Sequence, residues 1–308
     1  MTFLYILTSN GKDEFIDMTY LSASFLRYLH TKANIVLITD SQSALIIKNS
    51  NHPLLKIINN VISIITPEGT QKWKSRYLKS HMRELISGDF LFLDSDTIPL
   101  KPLDKLFEIM LPIAAANNHS KDISTNFISY EKKLYDDLQW SYPNKHYLNT
   151  GVMFWKEDAK AYKLSKLFIH KWEQSQFEGY HYDQPAFNAA LTEWDGEYYV
   201  LENNFNAQFR SNIKVSIDAK LWHFYSSNYN EIYKDYYSIG LEMIRKNKEL
   251  DFKFIKKVTN SRIPFETNTK RQEEKIIKLI NEKGENFSKQ EYYLAREKYL
   301  YFFLHKYL

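Results

Sequence analysis

Two hydrophobic periods alternate along this chain, and the switch between them marks its elements. Short, continuous apolar runs occupy residues 2–8, 34–39, 56–65 and 89–93, each bounded by polar residues. Runs of that length read as strands buried on both faces. Between the first two, Phe15, Met18, Leu21, Phe25, Leu26 and Leu29 fall at helical spacing and predict an amphipathic helix over 15–29. Residues 43–47 begin a short helix. Residues 71–87 read as a longer one that ends at Gly88 and carries Lys72, Lys74, Arg76 and Lys79. Pro99 and Pro102 then turn the chain into a short helix near 103–110. Strands and helices alternating in this way predict a parallel, Rossmann-like α/β half.

Further along, 112–116 is another strand, while 117–146 is polar and irregular. Residues 147–155 form a strand interrupted by Asn149-Thr150-Gly151. A glycine inside a strand signals that a ligand or neighbouring backbone comes close. A helix over 157–175 follows, and then Tyr182-Asp183-Gln184-Pro185 opens an apolar helix over 186–191. Proline suits that first turn, and Asp183 suits an N-cap. Residues 197–201 and 220–225 are the remaining strands, separated by a polar loop at 203–206. From about residue 228 the pattern is helical, over 229–248, 270–282 and 288–306. The chain therefore divides into an α/β domain over 1–228 and a C-terminal helical region over 229–308.

Composition narrows the class. With 308 residues, 44% of them hydrophobic and 25% charged, the chain can bury a sizeable core. A net charge of +4 without a long basic block excludes a nucleic-acid footprint. Cysteine is absent, which rules out disulfides and thiolate metal sites and fits a reducing cytoplasm. Residues 2–7 have neither a charged leader nor a cleavage site, so they read as a strand and not a signal peptide. No apolar run approaches the roughly 20 residues needed to cross a bilayer. The expected location is cytoplasmic. The C-terminal segment interleaves Tyr292, Tyr293, Tyr299, Tyr301, Phe302 and Phe303 with Lys289, Arg296, Lys298 and Lys306. That mixture suits peripheral contact with the inner face of the cytoplasmic membrane; the alternative is a helix packed on the α/β domain.

The chemistry concentrates where the apolar run 89–93 ends in Asp94-Ser95-Asp96. Ligands bind at the C-terminal edge of open α/β sheets, and residues i and i+2 of an extended segment point the same way. Two convergent carboxylates suit Mg²⁺ or Mn²⁺. Taken alone, an Asp-x-Asp triplet is as readily a turn, Asp40 a helix cap, His223 a buried histidine beside Trp222, and the cations of 71–87 a solvated helix face. The loop after the first strand, Thr8-Ser9-Asn10-Gly11, has one glycine and lacks a dinucleotide fingerprint.

Four separated pieces, taken together, carry a family resemblance: Phe-Leu-Phe-Leu-Asp-Ser-Asp-Thr with a following Pro-Leu, Leu-Asn-Thr-Gly-Val-Met, Asp-Gln-Pro-Ala-Phe-Asn, and Trp-His-Phe-Tyr. In this order and at these strand ends they resemble glycosyltransferases of the GT-A fold, especially family 8 and its relatives, over roughly residues 2–225. The resemblance implies a mostly parallel central sheet flanked by helices, with the C-terminal helices as an appendage. It implies a nucleotide-diphospho-sugar donor, UDP-hexose by family habit, and a glycan or lipid-linked glycan acceptor in surface polysaccharide or glycoconjugate synthesis. It makes Asp96 and His223 ligands of one Mn²⁺ or Mg²⁺, with Asp94 either on the same metal or on the donor ribose. Thr8, Ser9, Asp40, Ser95 and Gly151 would line the donor, and Arg76 or Lys79 its diphosphate. Arg76 is preferred because a guanidinium grips phosphate bidentately. Asn149, Asp183 and Gln184 would flank the sugar and its anomeric carbon. Family 8 enzymes retain configuration, whereas an inverting enzyme needs a carboxylate base, a part open to Asp183. One departure stands out: Ser226-Ser227-Asn228 replaces the glycine and lysine that follow the last histidine in the family.

Two other readings compete. A haloacid-dehalogenase-like phosphatase would use Asp94 as nucleophile, but wants Thr or Val where Ile98 stands and places the motif after the first strand. A catalytically inactive, sugar-binding scaffold would be marked by a lost metal ligand; Asp94, Asp96 and His223 are all present.

Overall fold

The computed structural model describes residues 1–120, 129–209, 212–225 and 235–287, together with Tyr292 and Ala295. Its first half follows the expected alternation: β1 (Thr2–Leu7), α1 (Phe15–Leu29), β2 (Asn34–Asp40), α2 (Ser41–Asn49), α3 (Leu54–Ile57), β3 (Asn60–Ile64), α4 (Gln71–Leu85) and β4 (Phe90–Leu93). After it come β5 (Thr97–Pro99), β6 (Ile113–Asn117), α5 (Ser129–Asp137), β7 (Leu148–Trp155), α6 (Ala159–Phe177), α7 (Asp183–Glu193), β8 (Tyr199–Leu201) and β9 (Leu221–His223). Helices α8 (Tyr236–Asn247), α9 (Phe252–Thr259) and α10 (Lys270–Lys283) complete the described chain.

A seven-stranded sheet in the order β3-β2-β1-β4-β7-β6-β8 forms the centre. β1 through β4 are parallel, β6 and β8 are parallel to each other, and β7 is antiparallel to both of its neighbours. This single reversal places the start of β7 at the same edge as the end of β4. Leu93 pairs with Val152, and the Asp94 amide donates to the Gly151 carbonyl at 2.8 Å. A second, two-stranded sheet joins β5 to β9, with Thr97 opposite His223. Residues 220–225 are thus not a strand of the main sheet. They fold back on the segment just after Asp96.

Side chains alternate along β1 between two cores, as a doubly covered sheet requires. Phe3, Tyr5 and Leu7 pack with α1, α8, α9 and α10, whereas Leu4 and Ile6 face the apolar sides of α4, α6 and α7. Tyr236, Leu241, Ile244, Phe254, Ile276 and Ile280 belong to the same cluster as Leu21 and Phe25. The described C-terminal helices therefore pack against the α/β layer. At Gly240 a Cβ would come within 2.6 Å of Leu21 Cδ1, so a larger residue there would require the Leu21 side chain to shift. No described helix is long and apolar enough to cross a membrane. The predicted helix over 288–306 lies, apart from Tyr292 and Ala295, outside the described residues, as do Ser226-Ser227-Asn228.

Several local expectations need correcting. The strand expected over 56–65 begins only at Asn60, because Pro53 initiates the short α3, where the Leu54 amide donates to His52 Nδ1 at 3.2 Å. Within the stretch read as irregular, α5 buries Leu134 and Tyr135 under a mostly charged sequence. α9 falls between the helices expected over 229–248 and 270–282 and was not anticipated, because its Phe254, Ile255 and Val258 share one buried face among lysines. Asp183 is not an N-cap: Tyr182 holds that position, and Asp183 lies in the first turn of α7.

Candidate active site

The edge formed by the ends of β1, β2 and β4 and the start of β7 gathers most of the singled-out side chains. Asp94 and Asp96 converge, but not as neighbours on an extended strand. β4 ends at Leu93, and the Thr97 amide donates to the Asp94 carbonyl at 3.2 Å, closing a tight turn. The Thr97 hydroxyl donates to the same carbonyl at 2.7 Å. Ser95 points the other way and shares a hydrogen bond with the Thr19 hydroxyl of α1 at 2.8 Å. Through the β5–β9 pairing, His223 Nε2 reaches Asp96 Oδ1 at 3.2 Å, and the Phe224 amide donates to the Asp96 carbonyl at 2.7 Å.

One ligand atom from each of Asp94, Asp96 and His223 lies within 4.8 Å of the others. His223 Nδ1 faces Asn206 Oδ1 at 2.8 Å, so the ring donates there and turns Nε2 toward Asp96. Nε2 and the Asp96 oxygen, 3.2 Å apart, are thereby both turned as electron-pair donors toward the same spot. Burial pushes the Asp94 carboxyl up, with Lys79 opposing and Asp96 reinforcing, whereas at Asp96 the effect of burial is outweighed by His223 and the carboxyl sits below its ordinary value. Two carboxylates and one imidazole, held together at this cost in repulsion, fit Mn²⁺ or Mg²⁺.

Gly151 owes its identity to this cluster. A Cβ there would lie 2.4 Å from His223 Cε1 and 3.0 Å from Asp94 Oδ2. The close approach anticipated for this glycine is therefore made by the side chains of this cluster themselves.

Beside the cluster runs a chain of alternating charge. Lys79, on the buried side of α4, donates to both Asp94 oxygens at 3.1 and 3.2 Å and lies 3.1 Å from Asp183 Oδ2. Arg76 Nε pairs with Asp183 Oδ1 at 2.8 Å. Thr150 Oγ1 donates to Asp183 Oδ2 at 2.7 Å. At Asp183 burial acts to raise the carboxyl, but Lys79, Arg76 and the Thr150 hydroxyl overcome it and hold the group far below the usual range. The Lys79 side chain is 5% exposed and that of Arg76 28%, which makes Lys79 an internal counter-charge and Arg76 the accessible cation.

An amide network completes the floor. Gln184 Oε1 accepts from Asn149 Nδ2 at 3.0 Å and from the Thr150 amide at 3.4 Å. Asn188 binds both the amide and the carbonyl of Leu148, fastening α7 to β7. Asn206 and Asn118 were missed in the sequence, and Asn188 was noted only as the end of the Asp-Gln-Pro-Ala-Phe-Asn motif. Asn206 fell in a stretch read only as a polar loop, yet it is fully buried.

The residues at the ends of β1 and β2 are already engaged within the protein. Thr8 Oγ1 donates to the Gln71 carbonyl at 2.7 Å, and Ser9 Oγ to Asp13 Oδ1 at 2.7 Å. Asp40 caps α2 through the Ser43 amide at 3.1 Å and pairs with Lys74 at 3.2 Å.

Residues 74–241 match glycosyl transferase family 8. Among solved structures, the galactosyltransferase LgtC in complex with donor and acceptor sugar analogs is similar with a TM-score of 0.57 at 13% identity, over 89% of this chain and 100% of its own. The glycosyltransferase GlyE of Streptococcus pneumoniae TIGR4 gives 0.53 at 16% identity, over 87% of this chain and 66% of its own. Mouse xyloside xylosyltransferase 1 gives 0.50 at 15% identity, over 73% and 98%. At such identities these likenesses establish the GT-A fold. No curated protein matches the sequence.

Proposed function

The chain belongs to glycosyl transferase family 8 and is a glycosyltransferase, and from that premise we propose that it moves a hexose from a nucleotide diphosphate, UDP by family habit, to a glycan or lipid-linked glycan acceptor. The observation that carries the metal-dependent reading is the convergence of Asp94, Asp96 and His223 within 4.8 Å. These three would hold one Mn²⁺ or Mg²⁺. Such a cation, when bound, supplies Lewis-acid neutralisation of charge on the departing diphosphate.

The remaining roles follow from position and charge. Arg76, more accessible than Lys79 on α4, would lie on the donor side and is suited to a phosphate oxygen. Lys79 opposes the effect of burial at both Asp94 and Asp183, and at Asp183 it helps to overcome it. Asn149 and Gln184 present a polar floor for sugar hydroxyls. Asp183 is a poor candidate for the proton-accepting base of an inverting reaction, because two cations and a hydroxyl already stabilise its charge. That supports transfer with retention. The proposed membrane contact of 289–306 rests on composition alone. The phosphatase alternative falls with the family assignment, and its motif would have to follow the first strand, whereas Asp94 follows β4.

The test is a panel of sugar nucleotides with Mn²⁺, scored by donor hydrolysis and by thermal shift. One or more UDP-sugars should respond, and Asp96→Asn should lower turnover on the order of 10²-fold, the usual effect of losing one electrostatic stabiliser. Silence across the whole panel, or full activity in Asp96→Asn, would refute the reading.

A further inference from the structure

The orientation of His223 follows from one hydrogen bond whose direction is beyond doubt. The Gly151 amide must donate, and it does so to Asn149 Oδ1 at 2.9 Å. That fixes the Asn149 side chain, and Asn149 Oδ1 also accepts from Asn206 Nδ2 at 2.9 Å. With its NH₂ group thus assigned, Asn206 turns Oδ1 to His223 Nδ1 at 2.8 Å, where it can only accept. The ring is therefore held as the Nδ1–H tautomer, with Nε2 left as the ligand atom. Asn206 is 0% exposed and His223 2%, so water cannot take over either bond.

We propose that Asn206 is a positioning residue of this site: its amide aims His223 Nε2 at the cation and, through Asn149, couples that ring to the side chains on the sugar side. The inference rests on the metal reading above. It adds a residue that touches neither cation nor donor, from a segment with no motif of its own. Outer partners of this kind orient a ligating histidine and typically alter metal affinity 10–100-fold. The second half follows from the same amide. Asn149 Nδ2 continues to Gln184 Oε1 and to Asn118 Oδ1 at 3.3 Å, so any rotation of Asn206 disturbs both sides.

Two substitutions separate the halves. Asn206→Ala removes the acceptor for Nδ1 and the donor for Asn149. Asn206→Asp keeps an acceptor for Nδ1 but has no N–H for Asn149. The metal-free chain, labelled with ¹⁵N-histidine and held at a pH where the rings are neutral, reports the His223 tautomer by NMR. Mn²⁺ alone, titrated by electron paramagnetic resonance, reports affinity without any turnover. The expected result is an Nδ1–H ring in the wild type and Asn206→Asp, and a mixed tautomer in Asn206→Ala with Mn²⁺ affinity about 10–100-fold weaker. Asn206→Asp should bind Mn²⁺ nearly as the wild type does while its KM for the sugar nucleotide rises. A wild-type tautomer in Asn206→Ala, or an Asn206→Asp chain that loses Mn²⁺ as fully as Asn206→Ala, overturns the proposal. Unchanged Mn²⁺ affinity in His223→Ala overturns the metal reading instead. If Asn206→Ala does not fold, the near-isosteric Asn206→Asp decides the matter through its tautomer and its KM.

Discussion

Residue 151 has no room for even one methyl group. The atoms in the way are His223 Cε1, Asp94 Oδ2 and Asn149 Oδ1, and the first two are pinned, the ring by Asn206 and the carboxylate by Lys79. Gly151→Ala should therefore weaken Mn²⁺ binding by roughly tenfold or more, through a displaced ligand. It should cost only about 1–3 kcal/mol of stability by overpacking. A Mn²⁺ titration beside a denaturant melt checks both; wild-type affinity in the variant would contradict the geometry. Asp183 makes the opposite kind of prediction, an absence of titration. Its folded pKa is depressed, so its stabilising contribution is complete above the unfolded carboxylate value of about 4 and is lost as pH falls through the folded value. The pH–rate profile should show no Asp183 limb near neutrality, and a neutral limb that disappears in Asp183→Asn would be evidence for a base. The same variant strips Arg76 and Lys79 of a shared counter-charge and should cost about 3–5 kcal/mol in a denaturant melt.

Among the elements, the short β5–β9 ladder matters most, because it delivers His223 to the aspartate turn. Its outer support comes from α8. Tyr237 stacks on Phe224 at 4.9 Å with an interplanar angle of 19°, and its hydroxyl donates to the Ser95 carbonyl at 3.2 Å. One buried side chain thus braces both the turn that carries the two carboxylates and the strand that carries the histidine. Tyr237→Phe keeps the stack and loses one hydrogen bond, which should cost about 0.5–1.5 kcal/mol and leave Mn²⁺ affinity nearly intact. Tyr237→Ala removes the brace. It should cost about 3–5 kcal/mol and weaken Mn²⁺ binding as well. Equal Mn²⁺ affinities in the two variants would show that α8 merely covers the site.

For the whole molecule, the question is whether the C-terminal helices are an attachment or a wall. Leu241, Ile244, Phe254, Ile276 and Ile280 share one core with Leu21 and Phe25, and α8 sits so close to α1 that a Cβ at Gly240 would press on the Leu21 side chain. A chain ended after Tyr225 would expose that face of α1, and burial of each large apolar side chain is worth about 1.5–3 kcal/mol. We expect the shortened chain to be insoluble and the full chain to melt in one transition by both circular dichroism and tryptophan fluorescence. Two resolved transitions, or a soluble and active chain of 225 residues, would support the separable helical region that the change in sequence pattern at 228 suggested.

Local pattern was enough for the elements themselves. The apolar runs over 2–8, 34–39 and 89–93 are strands, and the helix over 15–29 has the bounds its periodicity predicts, because a period of two or 3.6 is written in adjacent residues. Local pattern also put Asp94 and Asp96 at a sheet edge. It failed at α5 and α9, where few apolar positions sit among charges and only the packing partner reveals a buried face. It could not show that β7 runs against its neighbours, that β9 leaves the main sheet to pair with β5, or that Lys79 stands between Asp94 and Asp183. Those facts are contacts between residues far apart in the chain, and no periodicity encodes them. The chain alone thus determined its strands, its helices and the carboxylate pair. Resemblance in the sequence had singled out His223 and the cations of α4. Only the tertiary structure decided how His223 reaches the aspartate turn, that Lys79 bridges Asp94 and Asp183, and that the buried Asn206 faces the ring, since such contacts join segments whose own sequences carry no trace of each other.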